Sequence, residues 1–192
     1  MKYRFSVWVG LLVCALVCFV EPVLGKDVKP HADANTTGAV FEQRIEDLLV
    51  SYDFHVVPYV SWRDTNDKSQ FGKRLLLTNA PYTNIYGGQG RSEFLVLADG
   101  KLTGAIRIEA KWKQSPGSTD ERLVYLFENA QHRYPESHVV LVVDGTGWRD
   151  GAIAWLRQKA AYHAQSKSMT DSKVIEVMNF QEFKTWARHF AD

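Results

Sequence analysis

Cysteine is almost missing from this chain: of 192 residues only Cys14 and Cys18 carry a thiol, and both fall within the first 25. The rest of the chain can form neither a disulfide nor a thiolate zinc site, so cysteine usage leaves the redox compartment open. An excess of charge of either sign is also lacking. A formal net charge of +1 gives no global footprint for polyanions, and any nucleic-acid binding must come from a local patch. No two histidines stand on successive turns of a helix in the manner of metal ligands, so no histidine zinc site is indicated, and His132, His138, His163 and His189 read as exposed or half-buried residues. Gly87-Gly88-Gln89-Gly90 lacks the Lys-Ser/Thr ending of a phosphate-binding loop, and Ser92 lacks the Gly-x-Ser-x-Gly frame of a serine hydrolase. There is no internal repeat and no low-complexity segment.

What is present begins with a leader. Lys2 and Arg4 precede an apolar run from Phe5 to Val20, and Val23-Leu24-Gly25 follows with small residues where a signal peptidase reads. Residues 1–25 therefore read as a secretory signal peptide, with export to a periplasm or to the medium. Left uncleaved, the same segment is an N-terminal anchor and implies membrane association. Residues 26–36, with Pro30 and small polar side chains, read as a linker, and residues 37–192 as one domain.

Within that domain Ala39, Val40, Phe41, Ile45, Leu48 and Leu49 recur at helical spacing behind a cap at Asn35, Thr36 or Thr37. Phe54 to Val60 predicts a short strand with Pro58 at its end or on a sheet edge. Ser61–Asp67 reads as loop, Lys73–Thr78 as strand or helical turn, and Asn79–Gly90 as a flexible loop. Glu93–Leu97 and Leu102–Ala110 predict two central strands joined at Ala98-Asp-Gly-Lys101. A helix should follow from Ser118 or Thr119 to about Arg133, then a strand over His138–Val143 buried on both faces, since its apolar run is unbroken. A helix over Asp150–Gln165, a strand over Val174–Met178 and a helix over Gln181–Phe190 complete an α/β fold: a mixed central sheet flanked by helices.

The chemistry-bearing residues gather on the hairpin. Glu109 and Lys111 are two apart on one strand and so share a face, which sets a carboxylate beside an ammonium. Alone, this pair is equally a salt bridge on an edge strand. Glu93 heads the preceding strand, Glu42 lies on the first helix, and Lys113, on the same face by parity, and Gln114, just after the strand, are candidates to bind the substrate phosphate or its water. Metal-assisted cleavage of a phosphodiester asks for hard carboxylate oxygens around Mg²⁺ or Mn²⁺ and a cation near the scissile phosphate, and this set supplies both. Arg91, Lys101, Arg107, Lys111 and Lys113 are expected to form a basic surface around the hairpin that tracks a phosphate backbone.

A helix bearing Glu42, a hairpin headed by Glu93, the sequence Glu109-Ala110-Lys111 and then a helix and a buried strand resemble the PD-(D/E)XK nuclease superfamily, whose fold is restriction-endonuclease-like. The resemblance covers about residues 37 to 155, and Gly117 to Ala130 is similar to the helix that follows the signature in that family. It implies Mg²⁺-dependent cleavage of DNA, with Mn²⁺ able to substitute. Glu93 and Glu109 would be metal ligands, Lys111 would orient or activate water, and Glu42 would be an auxiliary carboxylate. Where this chain has Glu93 the family usually has Asp. Many such nucleases form homodimers to cut both strands. A second reading keeps the fold without the chemistry, as an exported, inactive nuclease-fold protein that binds nucleic acid or a protein partner.

The register of the hairpin discriminates. A two-residue turn at Asp99-Gly100 would pair Glu93 with Ile106 and turn it away from Glu109. An odd-numbered loop or a bulge, for which Gly100 and Gly104 are suited, would bring the two carboxylates to one face.

Overall fold

The computed structural model describes residues 34–166 and 173–191. The leader, both cysteines and the linker up to residue 33 lie outside the described residues. No helix among the described residues is long and apolar enough to cross a membrane.

Six strands form one sheet in the order β1 (His55–Pro58), β2 (Leu75–Thr83), β3 (Gln89–Leu97), β4 (Ile106–Trp112), β5 (His138–Asp144) and β6 (Val174–Met178). β1 runs parallel to β2, the β2–β3–β4 block is antiparallel, and β4, β5 and β6 are parallel. The helices are α1 (Ala34–Val50), α2 (Tyr59–Asp64), α3 (Glu121–His132), α4 (Asp150–Gln165) and α5 (Phe180–Trp186).

Alternation along the strands divides the core. Leu76, Phe94, Val96, Ile108, Ala110, Val140 and Val142 point to one face, where Phe41, Ile45 and Leu49 of α1 and Phe180 and Phe183 of α5 cover them. On the opposite face Val139, Leu141 and Val143 meet Leu123, Leu126 and Phe127 of α3 and Leu156 of α4. Leu75, Leu77, Leu95 and Leu97 form a separate cluster with Trp62 of α2. Between these two clusters runs the outward set of β4: Arg107, Glu109 and Lys111. The polar residues of β4 thus occupy the seam between two apolar cores, where a cavity opens.

Several local expectations need correction. α1 begins at Ala34, so Asn35, Thr36 and Thr37 lie inside the helix and do not precede it. Tyr59–Asp64, partly read as loop, is the helix α2, fastened by buried Trp62. Asn79–Gly90 is mostly strand. Pro81 is tolerated because β1 pairs with β2 only as far as Thr78, leaving Pro81 beyond β1's reach. Only Asn84 to Gly88 turns. β4 starts at Ile106 and not at Leu102, because the preceding residues belong to the connection from β3. His163 is buried and not exposed or half-buried.

Candidate metal and phosphodiester site

The β3–β4 register is set by the couples Phe94–Ile108, Leu95–Arg107 and Val96–Ile106. Carried one step further, it places Glu93 level with Glu109 and on the same face. The connecting segment reverses the chain with Gly100 at φ +76° and Gly104 at φ +82°, the two glycines suited to an irregular loop. A regular two-residue hairpin is therefore absent, and the carboxylates converge.

The β3–β4 ladder stops at Phe94–Ile108, although β3 stays paired with β2 back to Gln89 and β4 stays paired with β5 on to Trp112. The strands splay here, which frees backbone groups that need new partners. The Glu93 carboxylate takes one of them, accepting the Ala110 N–H at 3.2 Å. The cleft so opened is a cavity of about 920 Å³. Glu42, Arg91, Glu93, Glu109, Lys111 and Arg122 supply most of its charge.

At its centre the Lys111 Nζ donates to Glu93 Oε1 at 2.5 Å and to Glu109 Oε2 at 2.9 Å. Tyr134 donates its O–H to Glu109 Oε1 at 2.5 Å. Burial and the neighbouring Glu109 push the Glu93 carboxyl well above the ordinary range, with Lys111 opposing. Burial alone would raise Glu109 too, but Lys111 and hydrogen bonds from Glu93 and Tyr134 hold it below its usual value. The two carboxyls of the pair are thus pushed in opposite directions, Glu93 up and Glu109 down. Lys111, whose side chain is still 36% exposed, would be depressed by burial, yet the two carboxylates raise it, so it stays an ammonium. Burial and Glu109 drive the Tyr134 phenol upward as well, keeping it a donor.

Glu42 reaches the cavity from α1. Burial raises its carboxyl, Lys111 opposes and Glu109 adds to the rise. Among the described residues it has no hydrogen-bond partner. Arg91 is exposed on the cavity wall, and Gln114 is exposed at its edge with its carbonyl accepting from Thr146 Oγ1 at 3.1 Å.

The expected basic surface does not form. Arg107 is 2% exposed and makes a two-pronged ion pair with Glu136 at 2.5 and 2.8 Å. Lys113 lines the cavity with its ammonium bonded to Asp120 at 2.6 Å and to the Gly117 carbonyl at 3.0 Å, on the loop before α3. Lys101 sits in the connection between β3 and β4, at the far end of both strands from the carboxylates. Parity gave each residue its face but not its partner.

Tyr134, Tyr82, Tyr125 and Arg122 also line the cavity, and sequence reasoning did not find them. Tyr134 follows α3 in an irregular stretch with no spacing signal of its own. Its one sequence cue is the neighbouring Pro135, which ends the helix and sets the ring under β4.

The segment leaving β4 is held by the turn after β5. Gly147 donates its N–H to the Lys113 carbonyl at 2.8 Å. Gly145 adopts φ +107°, and a Cβ there would stand 2.2 Å from that same carbonyl oxygen. Gly145→Ala should therefore cost more than about 1 kcal/mol of stability, read as a lowered melting temperature in thermal unfolding, because the contact is backbone against backbone and cannot yield.

The donor set suits a hard divalent cation: two carboxylates face one point, and a positive charge, that of Lys111, already bridges them. Among the described residues no group of three His, Cys, Asp or Glu side chains forms a ready cage. The remaining ligand positions would fall to water and substrate oxygens, as is usual for Mg²⁺.

No curated protein and no solved structure matches the chain. A family model described as a PD-(D/E)XK nuclease superfamily domain matches residues 33–191, which takes in every strand of the sheet and all of the residues placed above around the cavity. With that match over most of its length, the chain belongs to the PD-(D/E)XK nuclease superfamily.

Proposed function

We propose that this protein hydrolyses phosphodiester bonds in DNA with Mg²⁺, for which Mn²⁺ can substitute, at the cluster formed by Glu93, Glu109 and Lys111. Superfamily membership supports a nuclease-type activity on nucleic acid. The observation that carries the finer reading is the convergence of two carboxylates from splayed strands on one ammonium.

Glu93 and Glu109 would hold the ion, which when bound neutralises phosphate charge and lowers the pKa of a coordinated water. Tyr134 keeps Glu109 Oε1 engaged, so that Oε2 faces the cleft beside Lys111. Lys111, firmly protonated, acts as a donor and point charge toward the attacking water and the phosphate, and not as a base. Glu42 is an auxiliary carboxylate able to accept a proton from water. Arg91, Lys113, Gln114 and Arg122, which line the cleft, would contact the strand, Lys113 from the loop that it also holds.

Divalent ions should stabilise the protein by mass action, by about 2.7 kcal/mol at a hundredfold excess over Kd. Protons compete with them. Glu93 is raised in the folded state, so the metal-free fold binds more protons there than the unfolded chain, and its stability declines as pH rises through that raised value. The Mn²⁺-induced rise in melting temperature should consequently be larger near pH 8 than near pH 5.5. A shift that is absent, or larger at the acid end, would contradict the ligand assignment. Ca²⁺ should bind and support little cleavage.

The leader supports export, with the protein either released or held at a membrane. Fusion of residues 1–40 to a reporter active only after export tests this, and a silent reporter places the protein on the inner side. Paired DNA and RNA oligonucleotides of one sequence test the choice of DNA, since faster cleavage of RNA would reverse it.

A further inference from the structure

The cations and the aromatic rings of the cleft are distributed unevenly. Of its four basic side chains, Lys111 is engaged by Glu93 and Glu109, and Lys113 by Asp120. Arg91 and Arg122 make no ion pair or side-chain hydrogen bond among the described residues. Two open cations are few for a duplex, whose binding rests on many phosphate contacts.

Aromatic surface is more plentiful. The cavity wall carries Tyr82, Tyr125 and Tyr134. Outside it Tyr86 is 81% exposed and lies stacked on Tyr125, with ring centroids 5.5 Å apart and planes inclined by 21°. So exposed a ring needs a structural account, and the turn around it is firmly built. The Asn84 side-chain carbonyl accepts the N–H groups of Tyr86 and Gly88, at 2.9 and 3.1 Å. Ile85 N–H donates to Oδ1 of Asn129 at 3.0 Å, and Asn129 is wholly buried on α3. The β2–β3 turn is thus tied to α3, and it holds Tyr86 as an outward continuation of the cavity's aromatic wall. By strand direction this turn lies at the end of the sheet where β4 finishes.

We propose that the substrate is single-stranded DNA, with bases next to the scissile phosphate stacking on the Tyr86–Tyr125 pair while Arg91 and Arg122 hold the adjoining phosphates. This rests on the assignment of the cleft to phosphodiester cleavage. A single strand offers unpaired base faces, and every base has one, so stacking on tyrosine adds affinity without sequence preference. A duplex keeps those faces inside its own stack. The turn would then meet only its backbone, with two arginines to bind it.

The test separates binding from cleavage. Anisotropy of a fluorescein-labelled oligonucleotide, single-stranded or as a blunt duplex, is measured with the full-length protein in EDTA, and cleavage of both is then followed with Mn²⁺. The single strand should bind at least about tenfold more tightly. Tyr86→Ala should weaken that binding by about 5- to 150-fold, the range for loss of one base–aromatic stack, and Tyr86→Phe should restore it. With two phosphate contacts, log K should fall with log salt at a slope near about −1.4. Equal or tighter duplex binding with a steep salt slope, or an unaffected Tyr86→Ala, overturns the proposal. Selective single-strand binding without cleavage in any divalent ion upholds the stacking of a single strand on Tyr86 and overturns the assignment of the cleft to phosphodiester cleavage, and with it the strand's role as substrate. Cleavage that prefers the duplex does the reverse.

Discussion

Glu109→Ala should reduce DNA cleavage by at least about a thousandfold and leave the fold intact. Glu109, whose carboxyl is held below its usual value, sits on the buried side of the cleft, where Tyr134 and Lys111 fix both of its oxygens. Its removal takes away one of two proposed metal ligands and the anchor that orients Lys111. A metal's stabilisation of developing phosphate charge is worth several kcal/mol, and about 4 kcal/mol corresponds to that factor in rate. The same substitution relieves repulsion with Glu93 but removes the ion pair to Lys111 and the acceptor of the Tyr134 hydroxyl, so the metal-free protein should stay folded with only a modest change in melting temperature. Cleavage assays and thermal melts on one preparation give both numbers. Turnover at the wild-type rate would sink the assignment, and a collapsed fold would contradict the claim that Glu109 serves chemistry rather than stability.

The largest stability effect should come from Arg107, two residues upstream on the same face. Its guanidinium is buried, paired with Glu136, and donates to the Ser92 hydroxyl at 2.6 Å and to the Ala80 carbonyl at 3.1 Å. It also lies 5.1 Å from the centroid of the Tyr134 ring. Arg107→Ala leaves the Glu136 charge buried and unpaired, a change that typically costs about 3–5 kcal/mol. For a domain of this size that is a fall in melting temperature on the order of 10 °C. Because Glu136 and Tyr134 belong to one short stretch, the residual folded protein should also lose activity through a misplaced Tyr134. A drop of only a degree or two would mean that the pair contributes little, and that Tyr134 is held by its own packing. Lys101→Ala, an exposed site at the other end of the strands, is the neutral control and should change neither quantity.

These two residues show how far the sequence could be read. The spacing of Glu109 and Lys111, their strand and its neighbours were legible because a strand alternates its faces without exception over so short a run. The buried strand β5 was legible for a related reason: Val139 to Val143 leaves no polar side to expose. The face of Arg107 was equally legible, yet its role was misread as surface charge. Its partner Glu136 lies twenty-nine residues away, and only the seam between two apolar clusters makes the pair a buried one. Asn79 to Gly90 failed for a different reason. Proline and glycine there signal a loop, but pairing with β3 overrides that local signal where β1 no longer runs alongside. Asn79 keeps a trace of the conflict in its φ of +57°, inside a strand and level with Glu93. Tyr134, Tyr125 and Arg122 entered the site through tertiary packing alone.

The account turns on one measurement: relaxation of supercoiled plasmid and breakdown of a labelled single strand by purified protein, with Mg²⁺ or with EDTA, alongside Glu109→Ala/Lys111→Ala purified in the same way. Cleavage that appears with Mg²⁺ or Mn²⁺, stops with EDTA and is missing from the double variant is the predicted result. Cleavage that persists in EDTA or in the double variant, or a wild-type protein that cuts neither substrate with any divalent ion, would contradict it.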